Sequence, residues 1–142
     1  MEDFALDFLV DGRMTDEEVN AISVLGCAHI GDAVYELLTR KYLILHGLTT
    51  NTKLHSATTA IVCCQAQATA YEKLLPVLNE KELSWLKRGR NTSVNSVPKN
   101  ATHAQYAKAT AVETLFGVLY LKGELERINE LYNHILEEKH AL

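Results

Sequence analysis

The 142-residue sequence is poor in most of the features that mark a special class of protein. Two prolines and seven glycines are too few for a collagenous or linker-rich chain. Three cysteines, Cys27, Cys63 and Cys64, cannot make a disulfide framework and lack the paired spacing of a zinc site. That usage fits a reducing cytoplasm, which is the expected location. No apolar run approaches the roughly 20 residues needed to span a bilayer. The opening Met1-Glu2-Asp3-Phe4 is acidic where a secretory signal would be basic, so no such signal is expected. The six histidines show no H-x-x-x-H or H-E-x-x-H spacing, and no G-x-x-x-x-G-K phosphate loop occurs. Ser and Cys stand in no recognisable nucleophile context, and Cys63-Cys64 reads as core. What is present is a 47% hydrophobic fraction, enough for a globular core. At this length the expectation is one domain over 1–142, with a short N-terminal extension over 1–14.

A strong basic excess is also missing. The net charge is −4, which by itself speaks against a polyanionic partner. The distribution differs from the total. From Leu83 to Val112 there are five basic residues, Lys87, Arg88, Arg90, Lys99 and Lys108, and no acid. The remainder, with nine basic and 18 acidic residues, carries −9. A local cationic patch can hold a polyanion on a net-negative protein. On charge alone, a merely solvated loop is an equal alternative.

Strand-type alternation is lacking too, and apolar residues recur at helical spacing almost throughout. Thr15-Asp16-Glu17-Glu18 reads as a capping box opening a short helix. Ile30, Val34, Leu37, Leu38, Tyr42 and Leu45 mark a long helix over Val24 to His46, closed by Gly47. Thr49 to Lys53 reads as a polar break. A helix over Leu54 to Leu75 follows, with an interruption expected near Thr58-Thr59 and an end or bend at Pro76. Asn79 caps a short helix to about Arg88, and Arg88 to Ala101 reads as a loop. Thr102 with Gln105 opens a long helix to about Lys122, stopped by Gly123. Glu124 to Lys139 forms a last amphipathic helix. The fold class is therefore all-α, with six or seven helices.

Acids are scarce where the chain is most apolar. Between Glu18 and Glu72 only Asp32 and Glu36 occur, and between Glu82 and Glu124 only Glu113. Asp is a poor helix-interior residue, and a buried carboxylate is costly without a partner. Glu36 has Arg40 four residues on, the favourable order for a helical ion pair. Asp32 and Glu113 have no basic residue three or four positions away. A hard cation between them would compensate both, because carboxylate oxygens suit Mg²⁺ or Mn²⁺. An Arg or Lys from another helix, or exposure to solvent, would serve as well. Gly26, Ala28, Gly31 and Ala33 flank Asp32, and Ala107, Ala109, Ala111 and Gly117 flank Glu113. Helices bearing such small residues can approach closely.

These residues resemble a known family. Ile30-Gly31-Asp32-Ala33-Val34 is similar to the signature helix of ribonuclease III catalytic domains. Thr110-Ala111-Val112-Glu113-Thr114-Leu115-Phe116-Gly117 resembles their second catalytic helix, at a matching separation of 81 residues between the acids. Lys87-Arg88-Gly89-Arg90-Asn91 and Pro98-Lys99-Asn100 resemble the linking loop of the short subclass called mini-ribonuclease III, as do the Leu54-His55 and Gln65-Ala66 positions. The resemblance runs from about Leu25 to Leu136.

It implies an all-α, homodimeric endonuclease domain that cuts double-stranded RNA and acts in maturation of the large-subunit (23S) ribosomal RNA precursor. Asp32 and Glu113 would be the catalytic, metal-holding pair, with Mg²⁺ as the cofactor and Mn²⁺ as a substitute. Lys87, Arg88, Arg90, Asn91 and Lys99 would contact the RNA, and a ribosomal protein could assist. Full-length ribonuclease III has further carboxylates where this chain has Leu25, Ala28 and Thr110. The mini subclass shares that reduced pattern. The separate double-stranded-RNA-binding domain has no counterpart before Leu142. The cationic segment is then the expected holder of substrate. The rival expectations are a catalytically silent, ribosome-associated scaffold of the same fold and a helical protein adaptor. Retention of both Asp32 and Glu113 argues against the first.

Overall fold

The computed structural model describes residues 12–92 and 96–137. Seven α-helices follow in order: α1 Asp16–Asn20, α2 Val24–Leu45, α3 Asn51–Val62, α4 Cys64–Leu74, α5 Glu80–Arg90, α6 His103–Leu121 and α7 Leu125–Glu137. No strand occurs among the described residues, in line with the all-α expectation. None of these helices is long and apolar enough to cross a membrane.

The helix starts form where local side-chain chemistry dictates. Thr15 and Glu18, Asn79 and Glu82, and Thr102 and Gln105 each close a reciprocal capping box, satisfying otherwise orphaned backbone donors. Ser23 caps α2, accepting from the Gly26 amide at 3.0 Å. Gly47 and Gly123 follow α2 and α6 with φ of 97° and 76°, the left-handed stop that glycine tolerates.

One segment departs from the expectation. Helix α3 starts at Asn51, inside the stretch read as a polar break, and the chain bends at Cys63 rather than Thr58-Thr59. Cys63 is extended (φ −65°, ψ 159°) and separates α3 from α4. Thr59 stays helical by returning its hydroxyl to the His55 carbonyl at 2.9 Å. Pro76 lies in a 3₁₀ turn, Leu75–Val77, that ends α4. The ends of the expected N-terminal extension and final helix, residues 1–11 and 138–139, lie outside the described residues, as do 93–95 of the linking loop.

Helix α6 is the hub. Residues 109–112 and 114–119 are all buried, so it is covered on every side, as an apolar helix without a polar face must be. Tyr35 of α2 is packed edge-on against Phe116 (ring centroids 5.2 Å apart) and against Tyr132 of α7 (5.4 Å). The Tyr132 hydroxyl meets Thr39 at 2.7 Å, so both buried hydroxyls are satisfied. Each such large side chain, fully buried, contributes about 1.5–3 kcal/mol. Glu82 of α5 is buried but held by Arg127 of α7 through two hydrogen bonds of 2.8 Å. Met14 donates to the Leu121 carbonyl at 2.8 Å, and Asp16 meets Lys81 and Lys122 at 2.6 Å each, which ties the N-terminal segment to this frame.

Candidate active site

The crossing of α2 and α6 brings the two unpaired acids together. A Cβ on Gly31 would lie 1.6 Å from the Glu113 carbonyl oxygen, and one on Gly117 would lie 1.9 Å from the Cys27 carbonyl oxygen. Both glycines are therefore obligatory, and the helices touch backbone to backbone. Asp32, next to Gly31, comes within hydrogen-bonding reach of the Glu113 carboxylate. Of the small residues flanking the acids, Gly31 and Gly117 make this close approach, whereas Gly26 lies against Ile22 and Ser23 of its own neighbourhood and Ala33 is exposed.

The environments of the two acids differ. Asp32 is exposed, so the penalty expected for two buried carboxylates falls on Glu113. Burial first, and then the neighbouring Asp32, push the Glu113 carboxyl up to about 8, well above the ordinary value of 4.5. Gln67 of α4 opposes this by presenting its amide to Glu113. Gln67 is 1% exposed, yet its amide nitrogen completes no well-formed hydrogen bond. Cys64 is half-buried rather than core, and burial followed by the charge of Glu113 raises its thiol.

Two carboxylates and an amide, with no Lys or Arg pairing either acid among the described residues, form a site of oxygen donors. Such a set fits a hard divalent cation, which can displace the proton the carboxylates otherwise compete for. No group of three or more His, Cys, Asp or Glu gathers for a metal among the described residues. Water or substrate oxygens would complete the coordination. Glu36 pairs with Arg40 at 2.7 Å, the intrahelical ion pair its spacing implied.

The cations of α5 are carried on a helix that packs against the same stretch of α6. Gly89 of α5 lies against it, where a Cβ would meet Thr114 Oγ1 at 2.7 Å and the Ala111 Cα at 2.8 Å. The turn bearing Lys87, Arg88 and Arg90 is thereby fixed within one helical turn of Glu113. Arg88 lies over the Trp85 ring, 4.1 Å from its centroid, and donates to Asn20 Oδ1 at 2.9 Å. Arg90 donates to the Tyr71 hydroxyl at 3.2 Å. Lys87, Asn91 and Lys99 are exposed. With Val24, Glu80, Leu83, Ser84 and Arg88, Lys87 and Asn91 line an open groove beside the start of α2, so one carboxylate, Glu80, shares it with the cations. Lys99 precedes Asn100, whose carbonyl accepts from Gln65 two residues before Gln67. Lys108 behaves differently: it pairs with Glu72 at 2.5 Å, leaving four cations of the segment without a carboxylate partner among the described residues.

Gln67 is the site residue that sequence reasoning missed. Little in the sequence signals it, since Gln67 sits between Ala66 and Ala68 but has a second amide, Gln65, two residues before it.

Comparison with known proteins gives a consistent result. Residues 26–124 match the ribonuclease III domain family. The Mini-ribonuclease 3 of Brevibacillus brevis is 44% identical over 112 residues, covering 79% of this chain and 84% of that protein. That of Clostridium tetani is 37% identical over 130 residues, covering 91% and 86%. That of a Thermoanaerobacter species is 37% identical over 142 residues, covering 97% and 100%. A crystal structure of a Fusobacterium nucleatum protein superposes with a TM-score of 0.77 at 30% identity, covering 85% of this chain and 97% of that one.

Proposed function

The chain belongs to the ribonuclease III domain family and is an endoribonuclease, and from that premise we propose that it cleaves double-stranded RNA in the large-subunit (23S) ribosomal RNA precursor, using Mg²⁺ held by Asp32 and Glu113. The observation that carries this reading is the meeting of those two carboxylates across the Gly31 contact, one of them largely buried and neither paired with a basic side chain among the described residues. The described helices share one core built on α6, which supports a single catalytic domain.

Each residue has a distinct task in this reading. Asp32 and Glu113 hold the ion, with Mn²⁺ an acceptable substitute because it takes the same oxygen ligands. When bound, the metal supplies polarisation of the scissile phosphate and activation of a water for attack. No side-chain nucleophile is required in this reading. Lys87, Arg88, Arg90 and Lys99 hold phosphates on either side of the cut, and Asn91 adds a polar contact at the end of α5. Recognition then rests on the A-form shape of the duplex rather than on base sequence.

One chain offers one pair of acids, whereas a duplex has two strands. A twofold dimer supplies two sites related as the strands are. Its interface is expected on α2, where Leu37 and Ile44, two turns apart, are 65% and 51% exposed. A ribosomal protein that shapes the precursor stem would assist from outside.

The test is incubation of the purified protein with a precursor stem, in Mg²⁺ and in EDTA, beside Glu113→Gln. Discrete Mg²⁺-dependent cuts on both strands, lost in the variant, are expected. Binding without cleavage on a stem from the same organism would leave a scaffold instead.

A further inference from the structure

We propose that Gln67 is a positioning residue for the metal-holding pair: its buried amide fixes the Glu113 carboxylate against Asp32 without neutralising it. The inference rests on the reading of Asp32 and Glu113 as metal ligands. It is carried by placement. Gln67 lies on α4, which packs against α6, with its side chain within reach of the Glu113 carboxylate, and it is 1% exposed with an amide nitrogen that has no well-formed partner. An unpartnered buried N–H is expensive, and a leucine of similar size would avoid the penalty. A core-filling role therefore gives no reason for an amide here.

The chemistry of the alternatives explains the choice. A Lys or Arg at this position would pair with Glu113 and compete with an incoming cation. A carboxylate would add a third negative charge in a partly buried place and draw the cation off the Asp32–Glu113 axis. Leucine would leave the Glu113 side chain free to turn. Only a neutral donor can hold one carboxylate oxygen while leaving the charge, and the other oxygen, for a metal. Its hydrogen bond becomes well formed when Glu113 turns to bind an ion. Gln65, two residues earlier at the start of α4, donates to the Asn100 carbonyl, which ties down this end of the helix.

The test measures Mn²⁺ binding directly, by electron paramagnetic resonance or calorimetry, on wild type, Gln67→Leu and Glu113→Gln, together with thermal melting. Gln67→Leu is expected to melt at or above the wild-type temperature while binding Mn²⁺ about 10-fold more weakly, the usual scale for loss of a group that orients a metal ligand. Its cleavage should recover as Mn²⁺ is raised. Gln67→Asn, one methylene too short, should also bind weakly. Unchanged Mn²⁺ affinity in a folded Gln67→Leu protein would overturn the proposal and leave the metal site standing. A wild type that takes up no Mn²⁺, or takes it up equally well in Glu113→Gln, would overturn the metal site itself. If Gln67→Leu does not fold, Gln67→Met, unbranched and of similar length, decides between the same outcomes.

Discussion

At the scale of single residues, Glu113 carries the sharpest consequences. Its carboxyl titrates near 8 when folded against 4.5 ordinarily, so folding takes up a proton between those values. In EDTA, stability is expected to fall as pH rises through that window, relative to Glu113→Gln, which has no such group. Thermal melts of the two proteins should lie closest near pH 5 and diverge towards pH 8.5 as wild type loses stability; parallel curves would contradict the burial argument. Divalent metal, bound to the carboxylate form, should release close to one proton per site at pH 7. Calorimetry in two buffers of different ionisation enthalpy measures it. Asp32→Asn and Glu113→Gln should each abolish cleavage while leaving far-ultraviolet circular dichroism intact. An unfolded variant would make that acid a structural group.

At the scale of helices, the contacts around α6 set what can be changed. Gly31→Ala forces a side-chain carbon into the Glu113 carbonyl and should destabilise by about 3 kcal/mol or more, beyond ordinary overpacking, because backbone cannot step aside. Denaturant unfolding would read this, and a loss under 1 kcal/mol would mean that the helices can separate. Arg127→Ala strands the buried Glu82 between α5 and α7. About 2 kcal/mol is expected, less than for a fully enclosed pair because Arg127 keeps some contact with solvent. The helices themselves were readable from the sequence: the capping boxes at Thr15, Asn79 and Thr102 and the stops at Gly47 and Gly123 act through a few neighbouring residues. The bend at Cys63 was not, since no Gly, Pro or Asn marks it and packing on α6 decides it. The acids were legible as residues lacking a partner at helical spacing. Which of them is buried was not legible, because exposure of Asp32 depends on how α2 lies across α6. Gln67 and the pairing of Lys108 with Glu72 were hidden for the same reason: both depend on contacts between helices distant in sequence.

At the scale of the whole molecule, the proposed roles of the cations and of the exposed face of α2 can be tested separately. With four phosphate contacts per chain, log affinity for duplex RNA should fall against log salt with a slope of about −3 per protomer. A flat response would remove Lys87, Arg88, Arg90 and Lys99 from the interface. Arg88→Ala and Arg90→Ala should raise KM more than they lower kcat. Lys87→Ala should do so without any change in melting, since that side chain braces nothing in the fold. Glu substitutions at Leu37 and Ile44 should give monomers by light scattering and lose double-strand cutting. The Gly31 contact finally reaches beyond catalysis. The seam that aligns the two acids is also the seam that closes the hydrophobic interior, with no side chain between to act as a hinge. The two acids therefore cannot be moved apart while the body stays intact, and heat inactivation and global melting should trace a single curve.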